Sequence, residues 1–313
     1  MSRVVVLVGA TSGIGRAAAR AFAERGDRLV LAARAPRTLA DVRDECARVG
    51  AEVLTVPTDV TTPGALEALA DAAVDRFGRI DVWVHTAAVT AYGRFEQLPA
   101  RVFDQVVRTD LLAVAEATRV ALRHFRATSA GTLIITGSVL GHITAPYLSS
   151  YATAKWGLAG LVRTLQQELR DDADIHVCLV SPGSVDTPIY QRAANHAGQV
   201  GRPPPPIASA KRVARAILDC ADHPRREVSV GPLNGLMRAG FTLLPGVYDV
   251  LVGPLMRRLG LDAAVDPHDG VVFAPDPTSE AVHGGWLPDL GRVLRAAGNL
   301  PGQVGALVRR PVR

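Results

Sequence analysis

The segment "VVVLVGATSGIGRAAARAFAERG" (4–26) decides the fold. Five apolar residues run into a glycine-rich turn, and a helical pattern follows at once. Gly9, Gly13 and Gly15 are spaced G-x-x-x-G-x-G. Glycine at these places allows a tight turn and lets backbone N–H groups approach a pyrophosphate at the start of the helix. A glycine pattern alone is weak; between the first strand and first helix of an alternating chain it carries weight. Gly9, Thr11, Ser12, Gly13, Ile14 and Gly15 are therefore candidate cofactor-binding residues, with simple turn chemistry as the alternative.

Outward from this segment, apolar β-rich runs recur at residues 28–33, 51–56, 81–86, 131–137 and 175–180. Helical patterns lie between them, including a long one from about Pro99 to Ala127. Several runs are apolar on both faces, as in parallel strands covered by helices on each side. The expected fold is α/β, a doubly wound (Rossmann-type) parallel sheet with helices on both faces, plus an irregular or helical C-terminal extension. After Ser181 comes a long loop with helical fragments that ends in four prolines, then a helix over 209–223 and a strand over 226–231. Residues 1–231 read as a dinucleotide-binding catalytic domain and 232–313 as the extension. Within the extension, 232–261 is an apolar lid or interface segment, 262–285 a loop and 286–313 a basic tail.

The net charge is +5, and residues 291–313 carry five arginines and no acid. The rest is neutral, so nucleic-acid binding is not expected. Cys46, Cys178 and Cys220 match no metal spacing, so no metal is expected, and they fit a reduced cytoplasmic protein. The amino-terminal run reads as a strand rather than a signal peptide. No uninterrupted apolar stretch is long enough to span a membrane.

Two features carry chemistry. Of 35 basic residues only Lys155 and Lys211 are lysines, so a lysine marks a place where arginine does not serve. Lys155 closes "YATAK" (151–155), four residues after Tyr151 and on the same helical face. The second strand ends "LAAR" (31–34), where an acid would take both ribose hydroxyls of NAD. Ala33 is neutral and Arg34 suits a 2′-phosphate, which points to NADP.

These motifs resemble the short-chain dehydrogenase/reductase family over Arg3 to about Gly231. "GATSGIG" (9–15) resembles its glycine motif, "TDV" (58–60) its adenine-contacting segment, "YATAK" its Y-x-x-x-K and "SPGSVDTP" (181–188) its nicotinamide-contacting segment. The resemblance implies cofactor contacts at Asp59, Val60, Ala87, Pro182, Gly183, Val185 and Thr187, and a hold by Tyr151 and Lys155 on the nicotinamide ribose. It implies Ser138, Tyr151 and Lys155 as catalytic residues. Two places depart from the pattern: the usual N-N-A-G is "HTAA" (85–88), and the catalytic asparagine is replaced by Asp110. His85 reads as a strand-end residue. A tyrosine hydroxyl, of pKa about 10, becomes a usable acid or base beside an ammonium. Asp110 is expected to modulate that field.

The leading function is NADP-dependent interconversion of an alcohol and a carbonyl, on an apolar small molecule given residues 233–256. The alternative is a cofactor-binding regulatory or scaffold protein without turnover. His142, Tyr147, Tyr92, Ile189 and Tyr190 are candidate substrate walls. A homo-oligomer is expected by resemblance through the helices around 110–125 and 150–169. Peripheral membrane contact through an amphipathic basic tail ranks last.

Overall fold

A computed structural model describes residues 2–287. The basic tail beyond residue 287, and the amphipathic helix expected in it, lie outside the described residues.

Seven strands form one parallel sheet: β1 (Val4–Val8), β2 (Arg28–Ala33), β3 (Val53–Pro57), β4 (Val82–His85), β5 (Gly131–Thr136), β6 (Ile175–Pro182) and β7 (Glu227–Val230). Their order is β3-β2-β1-β4-β5-β6-β7. The chain winds outward first one way and then the other from β1, which leaves a crevice beyond the C-terminal ends of β1 and β4. The expected doubly wound fold is the one observed. β1 shows why its sequence has no polar alternation. Val5 and Leu7 pack with Phe22, Leu39 and Ile217 on one face, and Val4, Val6 and Val8 pack with Leu66, Phe125 and Leu158 on the other.

The helices are α1 (Gly13–Glu24), α2 (Pro36–Ala47), α3 (Ala65–Phe77), α4 (Ala100–Val107), α5 (Ala113–Thr128), α6 (Ser149–Glu168), α7 (Ala210–Asp222), α8 (Asn234–Leu243) and α9 (Pro245–Leu259). The long helical pattern of 99–127 is divided by a π-turn over Arg108–Leu112. Such a turn carries one extra residue and re-aims a side chain; here Asp110 lies fully buried within it.

One expectation changes. The loop after β6 contains no helix; its expected helical fragments are turns and short strands. Ala194–Asn195 pairs with Ala91–Tyr92, and Gln199–Gly201 pairs with Leu261–Ala264. Gly198 at φ +74 and the prolines of 203–206, which lack an N–H, break any helical run there. Residues 271–286 return over the sheet's C-terminal edge, where the Val271 N–H donates to Arg192 O (3.0 Å) and the Gly13 N–H to Ala281 O (2.8 Å).

Candidate active site

At the β1–α1 turn the glycines are needed sterically. Gly9 adopts φ +90, and a Cβ there would overlap Ala87 N. A Cβ on Gly15 would overlap the carbonyl oxygen of Gly9. The turn is thus a cradle of bare backbone at the start of α1, shaped for an anionic group. Thr86, in the "HTAA" departure, donates its hydroxyl to Val8 O (2.8 Å) and ties β4 to this turn.

Thr11, Ser12, Gly13, Ile14, Gly15, Arg34, Asp59, Val60, Ala87 and Thr187 line one cleft with Gly9. Pro182, Gly183 and Val185 do not line it. Val185 is buried in the core with Val213 and Ile217. Gly183 gives room to Asn234, whose Oδ1 a Cβ would meet at 2.5 Å. Asp59 caps its own turn, its Oδ1 accepting from the Thr61 N–H (2.9 Å).

Arg34 reaches the cleft and donates to Val271 O (2.8 Å), so it also anchors the returning segment. Burial lowers its pKa, and Asp59 acts in the opposite sense. Among the lining residues not expected from the sequence are Arg192, Val271 and Glu280. Arg192 donates to Ser12 Oγ (3.1 Å) and pairs with Glu280 at 3.4 Å. Asp186 fastens the same segment by accepting from the N–H groups of Gly284 (3.0 Å) and Trp286 (2.8 Å). These contacts are mostly to backbone and leave no trace in a pattern of side chains.

Beside the cleft, Tyr151 and Lys155 share a face of α6. Lys155 is 2% exposed, with Nζ donating to Thr136 O (3.3 Å) and standing 3.3 Å from Asp110 Oδ2 and 5.3 Å from the centre of the Tyr151 ring. Asp110 Oδ1 accepts from the Val89 N–H (2.8 Å). Burial pushes the Asp110 carboxyl up to about 6, against the opposing pull of the Lys155 ammonium. Ser138, just past β5, accepts from the Leu140 N–H (3.1 Å). Burial raises the Tyr151 phenol above its ordinary range; the Asp110 charge raises it further, and a hydrogen bond with Ser138 lowers it. The structure therefore brings Ser138, Tyr151, Lys155 and Asp110 together. His85, at the end of β4, is buried, and burial followed by the Lys155 charge lowers its pKa to about 3, so it stays neutral.

On the far side of Tyr151 is an apolar cluster of Tyr92, Leu148, Ala193, Met256 and Leu261, against which Tyr147, Tyr151 and Tyr190 pack. Ile189 lines the cleft beside the glycine turn instead. His142 is drawn away, its Nε2 lying 2.7 Å from Glu227 Oε1.

A family model described as short chain dehydrogenase matches residues 3–198. An uncharacterized oxidoreductase, YxnA, of Bacillus subtilis (strain 168) is 32% identical over 257 residues, covering 81% of this chain and 72% of that protein. The cis-4-hydroxycyclohexanecarboxylate dehydrogenase of Sinomonas cyclohexanicum is 36% identical over 227 residues, covering 69% and 87%. Among solved structures, an alcohol dehydrogenase of the archaeon Thermococcus sibiricus complexed with 5-hydroxy-NADP superposes with a TM-score of 0.64 at 28% identity, covering 74% of this chain and 96% of that one. A short chain dehydrogenase/reductase of Burkholderia phymatum in complex with NAD reaches 0.70 at 25% identity, covering 86% and 98%. With the glycine cradle, the buried lysine and the tyrosine beside it already in place, these matches show that the chain belongs to the short-chain dehydrogenase/reductase family and is an oxidoreductase of that family.

Proposed function

We propose that this oxidoreductase is NADP-dependent and interconverts an alcohol and a carbonyl on an apolar small molecule. The observation that carries the reading is the Ser138–Tyr151–Lys155–Asp110 group set beside a cleft whose glycines leave bare backbone. Gly9 to Gly15 and Thr187 would hold the cofactor, with Arg34 and Arg192 toward its phosphates. When bound, the cofactor supplies or accepts the hydride. The chain's own residues handle the proton. Tyr151 Oη gives its proton to the carbonyl oxygen in reduction and takes one from the hydroxyl in oxidation. Ser138 Oγ donates a hydrogen bond to the same oxygen as negative charge develops on it. The Lys155 ammonium favours the phenolate, and Asp110 offsets part of that field.

Assaying NADPH oxidation across carbonyl compounds tests the reading. Medium-to-large apolar ketones or aldehydes are expected to turn over; turnover confined to small hydrophilic carbonyls refutes the substrate class. Binding of NADPH without any turnover would instead mark a scaffold protein. The π-turn before α5 exposes Leu112 and α6 exposes Gly157 and Gly160, a face suited to a second copy of the chain.

The cofactor preference rests on Arg34. Arg34→Asp is expected to lower kcat/KM for NADPH relative to NADH by about 10- to 100-fold, the worth of a charge-assisted hydrogen bond. Equal efficiency with both cofactors in the native protein would refute the preference.

Asp110→Asn keeps shape and backbone while removing charge. Asp110 ionises at about pH 6, so the difference from the native enzyme belongs above that pH. The variant is expected to keep at least about a tenth of native kcat, with the pH–rate curve for oxidation moved toward lower pH. If the curves coincide at every pH, Asp110 only tethers Val89.

A further inference from the structure

The geometry points to the α8–α9 hairpin as a docking face for an anionic lipid surface. α8 buries only Asn234, and α9 buries only Met256. Of thirteen exposed large hydrophobic residues among the described residues, eight lie between Leu233 and Leu255. Val247, Val250, Leu251 and Leu255 follow i, i+3, i+4, i+8 spacing and make one stripe on α9. Leu236 and Leu243, 70% and 74% exposed, do the same on α8. The turn between the helices, Leu243 to Val247, is exposed throughout, and no charged residue lies between Arg238 and Asp249. A face this apolar and this concentrated marks an interaction site rather than ordinary surface.

Charge selects the occupant. Arg238 is taken up by Glu227 of β7, 3.2 Å away, which leaves Arg257 and Arg258, both exposed, against one acid, Asp249. Two copies pressed together by this face would bring like charges together, whereas anionic headgroups complement them. No helix among the described residues is long and apolar enough to cross a membrane, so the hairpin lies in the interface.

The hairpin is also fixed to the substrate side of the molecule. The Tyr248 hydroxyl donates to Thr144 O (2.8 Å), Phe241 packs against Trp156 with ring centroids 5.9 Å apart, and Met256 joins the apolar cluster against which Tyr151 packs. A docked hairpin would thus set that cluster against the bilayer, so that an apolar substrate enters from lipid. This delivery step rests on the function proposed above; the docking itself does not.

The test is co-sedimentation of the full chain with vesicles, read without turnover. The protein is expected to pellet with vesicles of phosphatidylcholine and phosphatidylserine, less with phosphatidylcholine alone, and less at high salt. Leu243→Glu with Val247→Glu is expected to cut the bound fraction at least about ten-fold. Both positions are exposed, so melting temperature and turnover of a water-soluble carbonyl should hold, which separates lost docking from lost folding. A native protein left in the supernatant with both vesicle types overturns the proposal. So does a double variant that pellets like the native chain, or a hairpin-dependent dimer in light scattering. Loss of binding when the five arginines of 291–313 become glutamine, with the hairpin intact, would move the contact to the tail and overturn it as well. If docking holds but apolar carbonyls are not turned over, the substrate reading fails alone.

Discussion

Tyr151→Phe is expected to lower kcat/KM for carbonyl reduction by about 10³-fold, within the usual range for losing a positioned general acid. The substitution removes one oxygen and keeps the ring that packs beside Lys155 and against the Tyr92–Met256 cluster. Melting temperature should therefore change little. Affinity for NADPH should stay within about five-fold, since one hydrogen bond to the ribose is at stake. The environment of Tyr151 makes the two reaction directions respond differently to pH. Burial and the Asp110 charge hold the proton on the phenol, which is the form reduction needs. Reduction should thus be nearly flat across neutral pH, while oxidation by the native enzyme should climb as pH rises. Steady-state assays in both directions, with NADPH fluorescence for binding, check this. A phenylalanine variant that keeps more than about a tenth of native reduction would take the proton transfer away from Tyr151.

The sheet was legible because most of its strands are apolar runs; only the edge strand β7, Glu227–Val230, alternates. Val4–Val8 is buried on both faces and has no alternation to misread. The glycine turn was legible because only glycine fits where a Cβ at Gly15 would overlap Gly9 O. Lys155 stood out by composition, and the structure places it buried against Asp110, 3.3 Å away, as a compact ammonium rather than a wide guanidinium. α8 and α9 were obscured by Gly235, Gly240, Gly246, Gly253 and Pro254, residues that lower helix propensity without preventing a helix. The returning segment 271–286 was invisible for another reason. It binds through Ala281 O and the N–H groups of Gly284 and Trp286, groups that every sequence possesses. Arg192 and Glu280, the side chains that do contribute, are 88 residues apart and meet only after folding.

Lys155→Met should cost both activity and stability, and the stability loss should grow with pH. Methionine is unbranched and fills the space of the stem, but it removes the ammonium from Tyr151 and from Asp110. Without that charge the phenolate is disfavoured, and turnover is expected to fall by about 10²- to 10³-fold. Asp110 then sits fully buried with only the Val89 N–H as partner. Its carboxyl is already raised from 3.8 to about 6 with Lys155 opposing the rise, so removing the lysine raises it further. The sign follows from proton linkage. A carboxyl with a folded pKa above its unfolded value binds its proton more tightly in the folded state. Its contribution to stability is present below the unfolded pKa and is lost as pH rises through the folded one. The variant should therefore lie close to the native protein in melting temperature near pH 4, and well below it near pH 8. There the gap should approach about 3 kcal/mol, as for a buried charge left without its partner. Adding Asp110→Asn to Lys155→Met removes the titrating group, so the double variant should lose this extra pH dependence while remaining inactive. Thermal denaturation of the three proteins across pH decides the matter. A Lys155→Met gap that is the same at both ends of the range would mean that Asp110 does not depend on Lys155 for its charge, and the ion pair would have no part in tuning Tyr151.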